Sequence, residues 1–290
     1  MVKTRRGLLK TVVLSLIVFF IYSPQLFALS NNYYSKKILS PDTQSNSNIF
    51  RQVLHESLAL YHIRQANQQP DQIKEHCPQQ SKCYRHESLG YSQARIELLG
   101  HIHLDSDGSN YFIQTLYCRQ KLSKKDFGSS RSPAPGRVPD HHVLNTEHIW
   151  PQSKFSRSFP KHVQKSDLHS LYPTISNLNS SRGSLPFGEV SSVEKEFCNK
   201  AKIGQTDMSS SLYFEPSAEV RGDIARALFY FSVRYKINID STQEYFFRKW
   251  HLEDPVSEIE IDKNDKVFDV QGNRNPFIDH PEWVKFISDF

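Results

Sequence analysis

Glu147 and His148 stand side by side in the stretch LNTEHIWPQSKF, Leu144 to Phe155, at the end of an apolar run. A carboxylate next to an imidazole can hold a divalent cation with one side chain and take a proton from water with the other. The pairing raises a geometric difficulty. Successive residues of a β-strand point to opposite faces, so the two can serve one site only if the strand ends at them. Pro151 has no N–H to continue a ladder and gives the strand a reason to stop. The plainer alternative is an exposed strand end with no task.

Phosphodiester hydrolysis is the chemistry such a pair suits. The anionic diester repels hydroxide, so a site must neutralise charge and generate its nucleophile in place. A histidine can take the proton from water at neutral pH. Mg²⁺ prefers oxygen ligands and keeps several waters, so one carboxylate and one amide oxygen are enough to hold it. Glu147 offers the charged oxygen, Asn179 the neutral one, and His148 the base. The elements around them read as a strand–strand–helix unit. HHVLNTEHIW is a short strand, and DLHSLYP is a second one, begun at Asp167 and stopped by Pro173. TISNLNSSRG is a helix capped by Thr174 and ended by Gly183.

The remaining elements must hold that unit. NIFRQVLHESLALYHIRQAN has apolar residues at 50, 54, 58 and 61, the spacing of a helix. YSQARIELLGHIHLD is ambiguous. On a strand, His101 and His103 would share one face, and without a third ligand nearby they read as packing or surface. NYFIQTLYC reads as a strand ending at Cys118, and SSRSPAPGRVPD as a surface loop. SAEVRGDIARALFYFSVRYKI places Val220, Ile224, Ala227 or Leu228, Phe231 and Tyr235 at helical spacing, which puts Arg221 and Arg226 on a solvated face. STQEYFFRKWHL opens with Ser241 and Glu244, a capping box. The tail VQGNRNPFIDHPEWV is turn-rich and expected to pack back as an irregular strap. With no repeat and no clear linker, residues 50–290 read as one domain, preceded over 31–49 by a flexible Ser/Asn-rich lead-in.

Lys3, Arg5, Arg6 and Lys10 precede the apolar run TVVLSLIVFFIY, and ALS at Ala28 to Ser30 offers a cleavage site. Residues 1–30 therefore read as a secretory signal peptide. The run falls short of the roughly 20 residues of a membrane span, and TRRGLLK as a twin-arginine signal ranks second. Without the signal the formal charge of +5 drops to about +1, so global basicity does not argue for nucleic acid. Its distribution does, because residues 119–165 hold ten Lys/Arg against three Asp/Glu around the Glu–His pair. Such a belt would attract a polyanion. Four cysteines in an exported chain imply disulfides. Cys77 and Cys83 are near neighbours, which leaves Cys118 for Cys198. The stretch HCPQQSKCYRH imitates a zinc site, but the five-residue gap between its cysteines matches no common zinc spacing.

NTEHIWPQSKF, SDLHSLYPTISNLNSSRG, GDIARALFYFSVRYKI and QGNRNPFIDHPE, in that order, resemble blocks of the endonuclease I family of bacterial periplasmic and secreted nucleases. The resemblance runs with gaps from about Tyr111 to Glu282. It implies an α+β fold with a ββα-metal (His-Me finger) core, surrounding helices and a small antiparallel sheet. It also implies cleavage of DNA, and of RNA, to 5′-phosphates with little sequence preference. By position, His148 is the general base, and Glu147 and Asn179 are the Mg²⁺ ligands, with Mn²⁺ or Ca²⁺ as alternative occupants. Asp167 and His169 match a D-L-H block and are expected to brace the strand. The family's phosphate-contacting arginine lies in a longer, cysteine-containing loop that this chain lacks, so Arg157 or Arg182 is left for that part. The partners implied are DNA and RNA held through phosphates by a monomer. Two other readings compete: an inactive nucleic-acid binder of the same fold, and a zinc hydrolase, the latter disfavoured because no H-E-x-x-H occurs.

Overall fold

Phe50, Leu54 and Leu58 form the buried face of α1 (Ser47–Ala59) in the computed structural model, which describes residues 32–198 and 200–290. The export signal read over residues 1–30 lies outside the described residues. α1 stops before residue 61, because Tyr61 opens β1 (Tyr61–Ile63), paired antiparallel with β2 (Gln72–Lys74) and β3 (Cys83–Tyr84). Residues 32–49, expected as a flexible lead-in, are packed instead. Tyr33 and Tyr34 are buried and donate to Ser57 O (2.9 Å) and Asp279 Oδ2 (2.7 Å), and Ile38 is buried beside them. Three apolar side chains anchor the segment, although its average composition is polar.

Helix α2 (Tyr91–Glu97) runs into one π-helical turn, Leu98–Ile102. His101 and His103 lie on that turn and at its end, so they share no strand face. β4 (Leu104–Ser106), β5 (Tyr111–Gln114) and β6 (Lys121–Ser123) form a second antiparallel sheet. The strand expected to reach Cys118 stops at Gln114, where residues 116–118 turn and Thr115 N donates to Gln120 O at 2.9 Å.

At the centre, β7 (Leu144–His148) pairs antiparallel with β8 (Leu171–Ile175), and α3 (Ser176–Arg182) follows directly. The register sets Leu144 against Ile175, Glu147 against Tyr172 and His148 against Leu171. β8 begins four residues later than expected, because Asp167 caps a short 3₁₀ turn by accepting from His169 N. It also runs through Pro173. A ladder of two strands leaves β8 a free edge, where the missing N–H costs nothing. The helix accordingly starts at Ser176 without a Thr174 cap, and Gly183, at φ +53°, ends it. The ladder is wedged between two cores. Leu144 and Leu171 enter a smaller one with Leu98, Leu99 and Ile113. Tyr172, Ile149 and Leu178 enter the main one.

β9 (Ser192–Phe197), β10 (Ala201–Thr206) and β11 (Ser209–Glu215) make a meander that periodicity did not flag. Three helices close the fold: α4 (Arg221–Tyr235), α5 (Ser241–Glu253) and α6 (Glu258–Gln271). α4 is buried on almost every residue, so its arginines have no solvated face. Arg226 is fully buried and forks onto both Glu260 oxygens at 2.6 Å, and Arg221 pairs with Glu189 and Glu215. The N-cap of α5 is Asp240, which accepts from Thr242 N and Gln243 N; Ser241 sits one residue too late for that part. A true capping box, Ser257 with Glu260, opens α6. The chain after α6 packs back in short helical turns, burying Asn273, Arg274 and Asn275. Disulfides join Cys77 to Cys83 and Cys118 to Cys198, and the first removes both thiolates from any zinc site at residues 76–86.

Candidate active site

The strand does end at the pair. Beyond His148, Ile149 N still donates to Ser170 O at 3.2 Å, and the chain then bends through Trp150 and Pro151. Trp150 Nε1 holds that bend by donating to Lys154 O at 2.9 Å. Glu147 and His148 leave opposite faces of β7 at its last two positions. With the ladder finished, both still line one open cleft of about 530 Å³, together with Tyr91, Thr146, Gln152 and Asn179.

His148 is oriented by the backbone. One ring nitrogen, Nε2, lies 2.9 Å from Lys165 O, and a carbonyl can only accept, so that nitrogen carries the proton. The lone pair is therefore on Nδ1, which faces the Gln152 side-chain amide at 3.4 Å. Burial pulls the imidazole down to about 4, against the opposing bond to Lys165 O. At neutral pH the ring is uncharged and its Nδ1 can accept a proton. Tyr91 lies against the ring at 5.4 Å between centroids, and the Lys165 ammonium sits 4.5 Å from the Tyr91 ring.

Glu147 is buried and divided between two tasks. Its Oε1 accepts from Tyr117 O–H at 2.8 Å and from Arg182 Nη1 at 2.9 Å, whereas Oε2 accepts no hydrogen bond from the described residues. Burial pushes the carboxyl up, and Arg182 and Tyr117 act against it. Asn179 sits one turn into α3, half-buried, and its side-chain amide has no partner among the described residues. Two unengaged oxygens on one cleft, one from a carboxyl and one from an amide, make an oxygen-only donor set of the kind a hard cation takes.

Arg182 is not available for a phosphate. It is buried, stacks 4.3 Å from the Phe187 ring, and donates to Glu147, His148 O and Ile149 O. The expectation that it serves as a phosphate contact is corrected, because α3 turns that side chain toward the core. Arg157 is exposed but does not line the cleft. Lys165, within the basic belt but not singled out by spacing, does not line the cleft either, but its ammonium lies over Tyr91, which does. Asp167 is buried and accepts from Tyr230 and Tyr235 hydroxyls at 2.8 and 2.7 Å and from Gln271, and His169 Nε2 donates to Asn273 O at 3.0 Å. These bonds tie the turn before β8 to α4 and the tail. Tyr91, Tyr117 and Gln152 carry no sequence signal, since a lone tyrosine or glutamine is ordinary at any position.

The family model for Endonuclease I matches residues 72–282, most of the chain and all of the cleft. The chain belongs to the Endonuclease I family. It is 33% identical over 218 residues to an extracellular ribonuclease of Bacillus amyloliquefaciens, covering 69% of this chain and 68% of that protein. It is 30% identical over 174 residues to Endonuclease-1 of Buchnera aphidicola subsp. Acyrthosiphon pisum, covering 57% and 67%. An extracellular deoxyribonuclease of Aeromonas hydrophila is 28% identical over 113 residues, covering 39% and 48%. α1 and the packed segment before it lie outside the residues matched to Endonuclease I, and α1 packs against α4.

Proposed function

We propose that this protein is an exported, Mg²⁺-dependent endonuclease that hydrolyses phosphodiester bonds of DNA and RNA, leaving 5′-phosphates, with little sequence preference. The observation that carries the reading is the convergence of His148 Nδ1, Glu147 Oε2 and the Asn179 amide on one cleft, all three without a strong protein partner. Relatives named both ribonuclease and deoxyribonuclease support a substrate class broader than DNA. The same relatives, and the complete triad, count against an inactive nucleic-acid binder. Extracellular relatives and two disulfides support export.

In this reading Glu147 and Asn179 would hold Mg²⁺, which would supply positive charge to offset the negative charge developing on the phosphodiester. His148 Nδ1 takes a proton from a water whose oxygen attacks phosphorus. The P–O3′ bond breaks, the phosphate stays on the 5′ side, and the 3′-oxygen leaves as a hydroxyl after taking a proton from solvent. Lys165 O keeps Nε2 protonated, so the base always presents Nδ1. Tyr117 and Arg182, both on Oε1, oppose the protonation that burial favours and leave Oε2 free of partners among the described residues. Lys165 Nζ, at the rim, neutralises a neighbouring phosphate. The protein acts as a monomer. Cleavage of plasmid DNA and of RNA, in Mg²⁺ and in EDTA, tests the proposal on wild type and His148→Ala. Wild type should cut both polymers only with metal, and His148→Ala should lose roughly 10²–10⁴-fold in rate. Retention of most activity by the folded variant would remove His148 from the mechanism.

A further inference from the structure

The turn leading into β7 carries Asp140, His141 and His142, and one donor atom from each lies within 4.8 Å of the others. Both imidazoles are exposed, with ring centroids 4.0 Å apart, and neither ring has a hydrogen-bond partner among the described residues beyond a 3.9 Å approach of His141 Nδ1 to Asp140 Oδ1. Consecutive residues on a strand would point apart; here the turn brings both rings to one side.

The backbone beneath them is tied down. Asp140 N donates to Arg131 O at 2.8 Å, and Asp140 O accepts from Val143 N and Leu144 N. Asp140 Oδ1 accepts from His142 N at 2.9 Å, which aims the carboxylate across the turn. The first residue of α3 closes the other side, with Ser176 N donating to Val143 O and its hydroxyl to His141 O. Ligands held on a fixed backbone lose little freedom on binding. Donor atoms around a tetrahedral Zn²⁺ stand about 3.4 Å apart at the usual bond lengths, so small rotations of the exposed side chains close the gap.

Two imidazoles and one carboxylate suit zinc and its late first-row neighbours, whereas Mg²⁺ takes oxygen. We propose that Asp140, His141 and His142 form a surface site for Zn²⁺ or a similar late first-row divalent ion, separate from the catalytic cleft. β7 separates the two, its five residues spanning roughly 13 Å from the turn to His148. An ion held there ties the turn to the first residue of α3, the helix that carries Asn179. It stabilises the strand–strand–helix unit from its far end.

The test is Zn²⁺ binding to the full, metal-stripped protein in excess Mg²⁺, by equilibrium dialysis and by the thermal midpoint. Wild type should bind one Zn²⁺ that Mg²⁺ does not displace, and its midpoint should rise. His141→Ala and His142→Ala, both at exposed positions, should each weaken binding roughly tenfold or more. His148→Ala should bind Zn²⁺ as wild type does. Wild-type binding in the double His141/His142 variant would overturn the assignment. So would loss of binding in His148→Ala, which would put the ion in the cleft, or the absence of any saturable site in wild type.

Discussion

Arg182 shows how far a residue's part depends on where its helix turns it. From its charge and its place after Asn179 it could be a phosphate contact. Buried beside Glu147, it sets the direction of a carboxylate instead, with Tyr117 on the same oxygen. Removing the Tyr117 hydroxyl leaves the packing intact and frees Oε1 to swing. Tyr117→Phe should therefore raise the Mg²⁺ concentration for half-maximal cleavage roughly tenfold, as losses of groups behind a metal ligand do. The rate at saturating Mg²⁺ should fall much less. A Mg²⁺ titration of plasmid cleavage checks this, and an unchanged midpoint would mean that Arg182 alone orients Glu147.

Among the elements, α4 depends on a charge pair more than its apolar stripe suggests. Arg226 joins it to the capping end of α6 through both Glu260 oxygens, and it also donates to Asp254 O. Glu260 serves twice, since it also closes the capping box of α6. Deleting one partner of a buried pair strands the other charge, at about 3–5 kcal/mol. Arg226→Ala should lower unfolding stability by that order in a urea titration. Arg226→Met combined with Glu260→Leu should recover most of the loss. If the double variant stays as unstable as the single, the capping role of Glu260 outweighs the pair.

On the scale of the whole molecule, charge and burial set the response to salt and acid. Lys154, Arg157 and Lys161 are exposed on the segment after the Glu–His pair, which runs from a 3₁₀ turn into a short helix opened by Lys161. Neutralising all three should weaken binding of every sequence alike and lower the slope of log K against log salt by roughly 2–3. A changed cleavage pattern would instead mean that this segment reads bases. Acid acts through buried histidines. Burial is the first cause that lowers His55 to about 4, His86 to about 3 and His169 to about 4. Asp167 pulls His86 and His169 the other way, while Arg234 and Lys263 add to the lowering. Each folded value lies below the unfolded value of about 6.5, so the unfolded chain binds the proton first. The stability these groups contribute above pH 6.5 should be lost as pH falls toward 4. A urea midpoint equal at pH 7.5 and 5.0 would contradict this.

The grouping of the candidate residues was legible in the sequence because it is local. Glu147, His148 and Pro151 are neighbours, and Asn179 follows on the next helix, so one supersecondary unit, β7–β8–α3, brings them together. The helix α4 was legible from its spacing. Its arginines were not, because a buried cation is distinguished from a solvated one only by the partner that arrives from another element, here Glu260 and Glu215. The end of β8 was misplaced for a similar reason: whether a proline stops a strand depends on whether that strand has a free edge. Tyr33 and Tyr34 looked like part of a polar lead-in until Ser57 and Asp279, remote in sequence, supplied their hydrogen bonds. The sequence alone put Glu147, His148 and Asn179 on one short unit; that Tyr91 and Gln152 join them in the cleft came from the fold. Tertiary packing decided how they are aimed, since Lys165 O, Tyr117 and Arg182 reach the pair only once the chain is folded.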